Sequence, residues 1–186
     1  MDHWTVLIPE DPDATVQALA GELADVLGAQ GLTVRLCHVD AADPAACAAA
    51  VRTAGEATGA VHGVLSLLGF SSRTDAVVAT LTAVRALAGE VPGARMWAIT
   101  QGAVTVGAPD RITDVSHSAV WGLGRVAALE LPQVWGGLID LPAQTDHRVW
   151  TRLASALTRL MLCDDLIALR SQGIFGSRLK QAAPLA

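Results

Sequence analysis

Short runs of β-forming apolar residues alternate along this chain with apolar stripes at helical spacing, and that alternation constrains the fold more than any other feature. Trp4 to Ile8 reads as a first strand, closed by Pro9 and Pro12. Val16, Leu19, Ala20, Leu23, Val26 and Leu27 then share one helical face, with Gly31 placed to end the helix. Thr33 to Val39 alternates as a strand. Asp43 and Pro44 supply an N-cap and a first helical residue for an alanine-rich helix ending near Gly59. Val61 to Leu68 is a continuous apolar strand, and Val77, Val78, Leu81, Val84 and Leu87 stripe the next helix.

The second half repeats the pattern. Arg95 to Thr100 is a strand, followed by a loop from Gly102 to Asp114 that holds Gly107 and Pro109. A helix is expected from about Ser118 to Leu131, stopped by Pro132, and then a short strand from Gly137 to Leu141. Val149, Leu153, Leu157 and Leu160 stripe a last helix. Leu166 to Arg170 and Ile174 to Lys180 are strands joined by a turn at Ser171, Gln172 and Gly173. Strands separated by helices of this length pair in parallel through right-handed crossovers, so the expected class is α/β: three layers around a mainly parallel sheet. No internal repeat or low-complexity tail interrupts it, and 186 residues make one domain.

Composition narrows the function classes. The net charge is -5, so no basic face is available to neutralise phosphates, which argues against a nucleic-acid partner. No run of 18 apolar residues is present, and the N-terminus lacks the basic-then-apolar order of a signal peptide; a cytoplasmic chain with no membrane span is expected. Cys37, Cys47 and Cys163 are odd in number and far apart, so reduced and mostly buried thiols are expected rather than a disulfide framework or zinc ribbon. Charged residues make up only 17%, against about 25% in an average domain. Some apolar surface is therefore expected to meet another protein.

The places where such a fold keeps its chemistry are altered. A dinucleotide-binding turn after the first strand needs Gly-x-Gly-x-x-Gly, because only glycine lets backbone N–H groups reach a pyrophosphate. Here the turn is Pro9-Glu10-Asp11-Pro12-Asp13, in which two prolines remove donors and three carboxylates repel phosphate. Gly122-Leu123-Gly124-Arg125-Val126-Ala127 fits the glycine pattern but does not follow a strand, so close helix packing explains its glycines better. Ser116, His117 and Ser118 form a polar helix start, since adjacent helical residues point to different sides and cannot form a nucleophile–base pair. Asp164 and Asp165 suit a turn. His3, His38, His62, His117 and His147 have no metal-ligand spacing. Trp97, Trp121, Trp135 and Trp150 are core or interface anchors. No catalytic, cofactor-binding or metal-binding residue is assigned.

The segment Val120 to Pro142, VWGLGRVAALELPQVWGGLIDLP, resembles the non-catalytic structural subdomain of ketoreductases in modular type I polyketide synthases. Val61 to Phe70, Arg95 to Val104 and Leu166 to Ala182 carry the same likeness, so it spans the chain in order. The resemblance implies a truncated Rossmann-like fold without coenzyme or active site. Its partner would be a catalytic subdomain, of the short-chain dehydrogenase/reductase type, that binds NADPH and reduces a β-ketoacyl group carried on an acyl carrier protein. Other synthase domains, and the carrier protein itself, are further implied partners. No position here matches that subdomain's serine, tyrosine, lysine and asparagine. The chain has no tyrosine and a single lysine, Lys180, so a Tyr-x-x-x-Lys pair cannot be formed.

A second reading remains open: a divergent small-ligand or nucleotide-binding domain, using a crevice at the carboxyl ends of the strands. Gly69, Ser71, Ser72, Gln101 and Gly102 would line it.

Overall fold

The computed structural model describes residues 3–58, 61–91, 93–157 and 165–178. Seven strands form one sheet: β1 (His3–Pro9), β2 (Thr33–Val39), β3 (Val61–Ser66), β4 (Arg95–Gln101), β5 (Trp135–Leu141), β6 (Leu166–Arg170) and β7 (Gly173–Gly176). Their order is β2-β1-β3-β4-β5-β6-β7, and every neighbouring pair is parallel except β6 with β7. Among the described residues, five α-helices cover the faces: α1 (Ala14–Ala29), α2 (Pro44–Thr58), α3 (Ala76–Glu90), α4 (Val115–Glu130) and α5 (His147–Ser155).

Alternation along the strands builds two cores. Leu7, Val64, Met96 and Leu138 point to the side covered by α2, α3 and α4. Their neighbours Val6, Ile8, Leu65, Trp97 and Ile139 point to the side covered by α1 and α5. A strand buried on both faces reads as a continuous apolar run, which is why β5 is buried from end to end. Each aliphatic side chain enclosed in this way contributes about 1.5–3 kcal/mol. Trp97, Trp121, Trp135 and Trp150 are all buried, and Trp97 packs on Trp4 with ring centroids 5.5 Å apart.

Local signals set the helix ends. The Asp43 carboxylate accepts from Ala45 N at 2.8 Å ahead of Pro44. After α1, Gly31 takes φ +79 while Leu32 N donates to the Leu27 carbonyl at 3.2 Å. That left-handed closure favours glycine.

Several expected boundaries move. Helix α4 starts at Val115 rather than near Ser118, because Asp114 caps it by accepting from His117 N at 3.0 Å. Strand β3 ends at Ser66, and a 3-10 turn at Leu68–Phe70 takes the residues beyond. Strand β5 begins at Trp135 instead of Gly137, since Met96 already pairs with Trp135, its N–H donating to the Val134 carbonyl at 2.7 Å. Strand β7 ends at Gly176, short of the expected end at Lys180, a residue outside those described. The expected end of α2 at Gly59 and the stripe residue Leu160 also lie outside them.

Candidate functional site

A cavity of about 440 Å³ opens at the carboxyl ends of β1, β3 and β4, where open α/β sheets place their ligands. Gly69, Ser71 and Gln101 line it, as the crevice reading expects. Gly102 lines an adjacent cleft of about 500 Å³, while Ser72 is exposed and lines neither of these two. Several polar groups in the crevice already have internal partners. Gln101 Nε2 donates to the carbonyls of Pro142 at 3.0 Å and Ala143 at 3.3 Å. Ser71 Oγ accepts from the backbone N–H groups of Arg73 and Thr74, both at 3.2 Å.

The β1–α1 turn does not fit a dinucleotide. Its Asp13 carboxylate caps α1 by accepting from Val16 N at 2.8 Å, so an anion of the chain's own already sits at the helix N-terminus. Asp11 is ion-paired with Arg73. Glu10 adds a third, exposed carboxylate. A pyrophosphate there would meet negative charge and too few N–H donors.

His117 departs from the expected polar helix start. It lies in the first turn of α4, as that reading requires, yet it is 3% exposed. Its Nδ1 accepts from Gln101 N at 3.1 Å and its Nε2 donates to the Gly69 carbonyl at 3.2 Å, the tautomer that satisfies both neighbours. Phe70 packs edge-on to the ring at 4.4 Å. The imidazole therefore ties the end of β4 to the turn after β3. The sequence does hold the signal: position 117 shares a helical face with Val120, Trp121, Gly124 and Ala127, all buried. Ser116 and Ser118 turn away, donating to Asp114 Oδ1 and to the Ala103 carbonyl. Neither serine is hydrogen-bonded to the ring.

Beneath the cleft lies a charged hub that sequence reasoning missed. Asp140 in β5 is fully buried and accepts from Thr100 Oγ1 at 2.8 Å, Ala103 N at 2.9 Å and Arg170 Nη2 at 2.9 Å. Arg170 also donates to Asp110 at 2.8 Å and to the Val104 carbonyl at 2.7 Å, and Trp121 Nε1 donates to Thr100 at 3.0 Å. Burial pushes the Asp140 carboxyl up, against the pull of these donors. Asp110, at the outer end, keeps its carboxyl below the usual range: partial burial opposes this, but the Arg170 and Val106 bonds outweigh it. The hub clamps the loop between Gly102 and Asp114 onto β5 and β6. Gly102 closes the base of that loop at φ +64, its carbonyl accepting from Thr113 and Asp114, where a side chain would collide with Thr113. The detectable signal was an aspartate inside the apolar run of β5, because a charge in a central strand must be paired.

The remaining candidates separate. The glycine pattern from Gly122 to Ala127 lies inside α4. Gly124 does allow close packing, since a Cβ there would meet Leu138 and lie 3.0 Å from the Trp135 ring, whereas Gly122 faces open space. Among the described residues no three His, Cys, Asp or Glu gather to hold a metal. Cys37 and Cys47 are free thiols, Cys37 half-buried and Cys47 buried. Burial and the nearby Asp43 and Asp40 push the Cys47 thiol up to about 11. Cys163 and Asp164 lie outside the described residues, and Asp165 sits in the bend before β6. No helix among those described is long and apolar enough to cross a membrane.

A three-layer Rossmann-like domain, with its strand-end crevice crossed by its own hydrogen bonds, is the class this geometry defines. Residues 3–179 match the family described as the Rossmann fold domain of polyketide synthase extender module SpnB, and the chain belongs to that family. It is 41% identical over 187 residues to polyketide synthase GfsA of Streptomyces halstedii and 39% identical over 191 residues to the pikromycin synthase component PikAII of Streptomyces venezuelae. These matches cover 95% and 97% of this chain, but only 2% and 5% of those proteins. The solved C2-type ketoreductase from a modular polyketide synthase superposes with a TM-score of 0.84 at 36% identity, over 94% of this chain and 39% of that one. The three-layer Rossmann-like fold with a mainly parallel sheet expected from the sequence is the fold found.

Proposed function

We propose that this chain is the catalytically inactive, structural half of a polyketide synthase ketoreductase. It supports a separate NADPH-binding half that reduces β-ketoacyl groups on an acyl carrier protein. The observation that carries this reading is the crevice itself: His117, Gln101, Ser71 and Asp13 all use their polar atoms on the chain's own backbone. These bonds commit the crevice's imidazole and the Ser71 hydroxyl to structure, which supports a role other than catalysis. The near-complete match of this chain to a minor fraction of a solved ketoreductase supports a division of labour between two halves. The chain's place would be among other synthase domains in the cytoplasm.

The test is co-expression with the catalytic half of the same synthase, reading NADPH-dependent reduction of a β-keto thioester. The expected result is a catalytic half that is soluble and active only in the presence of this chain. Equal stability and turnover without it would remove the structural role. Micromolar NADPH binding by the isolated chain in calorimetry would instead favour a divergent nucleotide-binding domain.

A further inference from the structure

Strand β2 closes one end of the sheet, and among the described residues no strand lies beyond it. It pairs with β1 without a register shift from His3↔Thr33 to Pro9↔Val39, so its edge is regular over seven residues. Such an edge offers a row of N–H and C=O groups to any added strand, and folds usually blunt it with proline, lysine or a bulge. β2 has none of these, and Arg35 is its single formal charge. Val34 and Leu36 on one face and Cys37 on the other are only half-buried, each at the rim of a core cluster.

The helices on both sides of this edge leave room for a neighbour. Gln17 of α1 reaches over β2, its Oε1 3.5 Å from His38 Nε2. Gly21, Ala24 and Gly28 continue that flank at helical spacing, and a Cβ on either glycine would touch nothing within 4 Å. Across the sheet, the Arg52–Glu90 ion pair marks the side of α2 that faces α3. The opposite flank, toward β2, carries Ala46, Ala50, Thr53 and Ala57. Neither flank holds a charge, although Glu22, Asp25, Arg52 and Glu56 lie elsewhere on the same helices.

We propose that β2 is a self-association edge, on which a second copy of this chain pairs its own β2 antiparallel and joins the two sheets into one. The occupant follows from self-complementarity, which a two-fold contact demands. A two-fold axis at Leu36 pairs the whole strand and sets Leu36 on its mate, Arg35 opposite Cys37 and Val34 opposite His38. The two guanidiniums therefore do not meet. Neighbouring strands lie about 4.8 Å apart, so helices seated over the two β1–β2 pairs stand about 10 Å from each other, the spacing at which helices pack. Each copy thereby covers the half-buried rim of the other.

The purified chain tests this directly. Sedimentation equilibrium is expected to show a monomer–dimer equilibrium. As concentration rises through the dissociation constant, amide exchange should slow in β2 and stay unchanged in β7, at the other end of the sheet. Gly21→Glu with Thr53→Glu sets like charges across the two-fold on both helix layers and should weaken the dimer by roughly tenfold or more. Both positions have room for the new side chain, Gly21 facing open space and Thr53 exposed. Leu129→Glu, on the 82% exposed position of α4 away from this edge, should leave the dimer unchanged. A monomer at every soluble concentration, wild-type affinity in the double variant, or a dimer lost in Leu129→Glu overturns the proposal. So does β2 protection that appears only when another synthase domain is added to a monomeric chain, which gives the edge to a strand of that domain. None of these outcomes touches the structural-half reading.

Discussion

The Arg170 guanidinium lies 2.9 Å from the Asp140 carboxylate, with the aspartate fully enclosed and the arginine 4% exposed. Charges removed from water to this degree are held only by partners of good geometry. Arg170 uses the rest of its fork on Asp110 and on three backbone carbonyls. The pair joins β5, β6 and the loop between β4 and α4.

Breaking that pair from one side strands the other charge. Asp140→Ala is expected to destabilise the chain by about 3 kcal/mol, because buried Arg170 and the donors Thr100 and Ala103 N lose their enclosed acceptor and only Asp110, at the outer end, still pairs with the guanidinium. Adding Arg170→Met should recover part of that loss, so the double variant costs less than the sum of the two single ones. Urea unfolding of all four proteins measures the coupling, and strict additivity would show that the pair does not act as a unit.

Acid should weaken the fold through its caps. Asp146 lies below the usual carboxylate range because Val149 N and Ser171 donate to it; in Asp114 the bonds from His117 N and Ser116 outweigh burial. Asp110 is lowered by Arg170 in the same net sense. A carboxylate depressed by folding contributes stability that is complete above its unfolded value, about 4, and is lost as pH falls through the folded value. Asp140, raised by burial, has the opposite sign and opposes the other three. Net stability should therefore fall as the pH drops below about 4, with Asp114→Asn making that fall shallower. Urea midpoints from pH 6 to pH 2.5 follow it.

Two glycines two residues apart in α4, Gly122 and Gly124, should respond oppositely. At Gly124 an added methyl is driven against buried Leu138 and Trp135, so Gly124→Ala should destabilise by about 1–3 kcal/mol. At Gly122 the methyl enters open space within a helix, where alanine is favoured by about 0.5–1 kcal/mol. Thermal melts of the isolated variants should therefore shift in opposite directions.

Most of the fold was legible because its strands and helices carry unmixed periodicities. Val6, Leu7 and Ile8 form a run that only a two-sided core explains, and Asp43-Pro44 announces α2. The start of α4 was less legible, because Asp114, Ser116 and Ser118 are all good caps and sequence alone does not choose among them. The site was readable as an alteration: the prolines and carboxylates of the β1–α1 turn are local. Arg170 meeting Asp140 and Asp110 was not, since partners 30 and 60 residues away are set by strand order.

His117 supplies the sharpest test of whether the crevice is held closed from within. Replacing it by alanine removes the acceptor for Gln101 N and the donor to the Gly69 carbonyl, leaving two partly buried backbone groups without partners. The cost should be about 1–3 kcal/mol per orphaned group, reduced where water enters the space the ring leaves. His117→Asn or His117→Gln, which can both accept and donate, should restore part of it. Hydrogen exchange gives the local readout: in His117→Ala the Gln101 amide should exchange faster, while the amides of β1 and β2 change only as much as global stability does. Uniform acceleration across the sheet would mean that His117 fills space rather than tying β4 to the turn after β3.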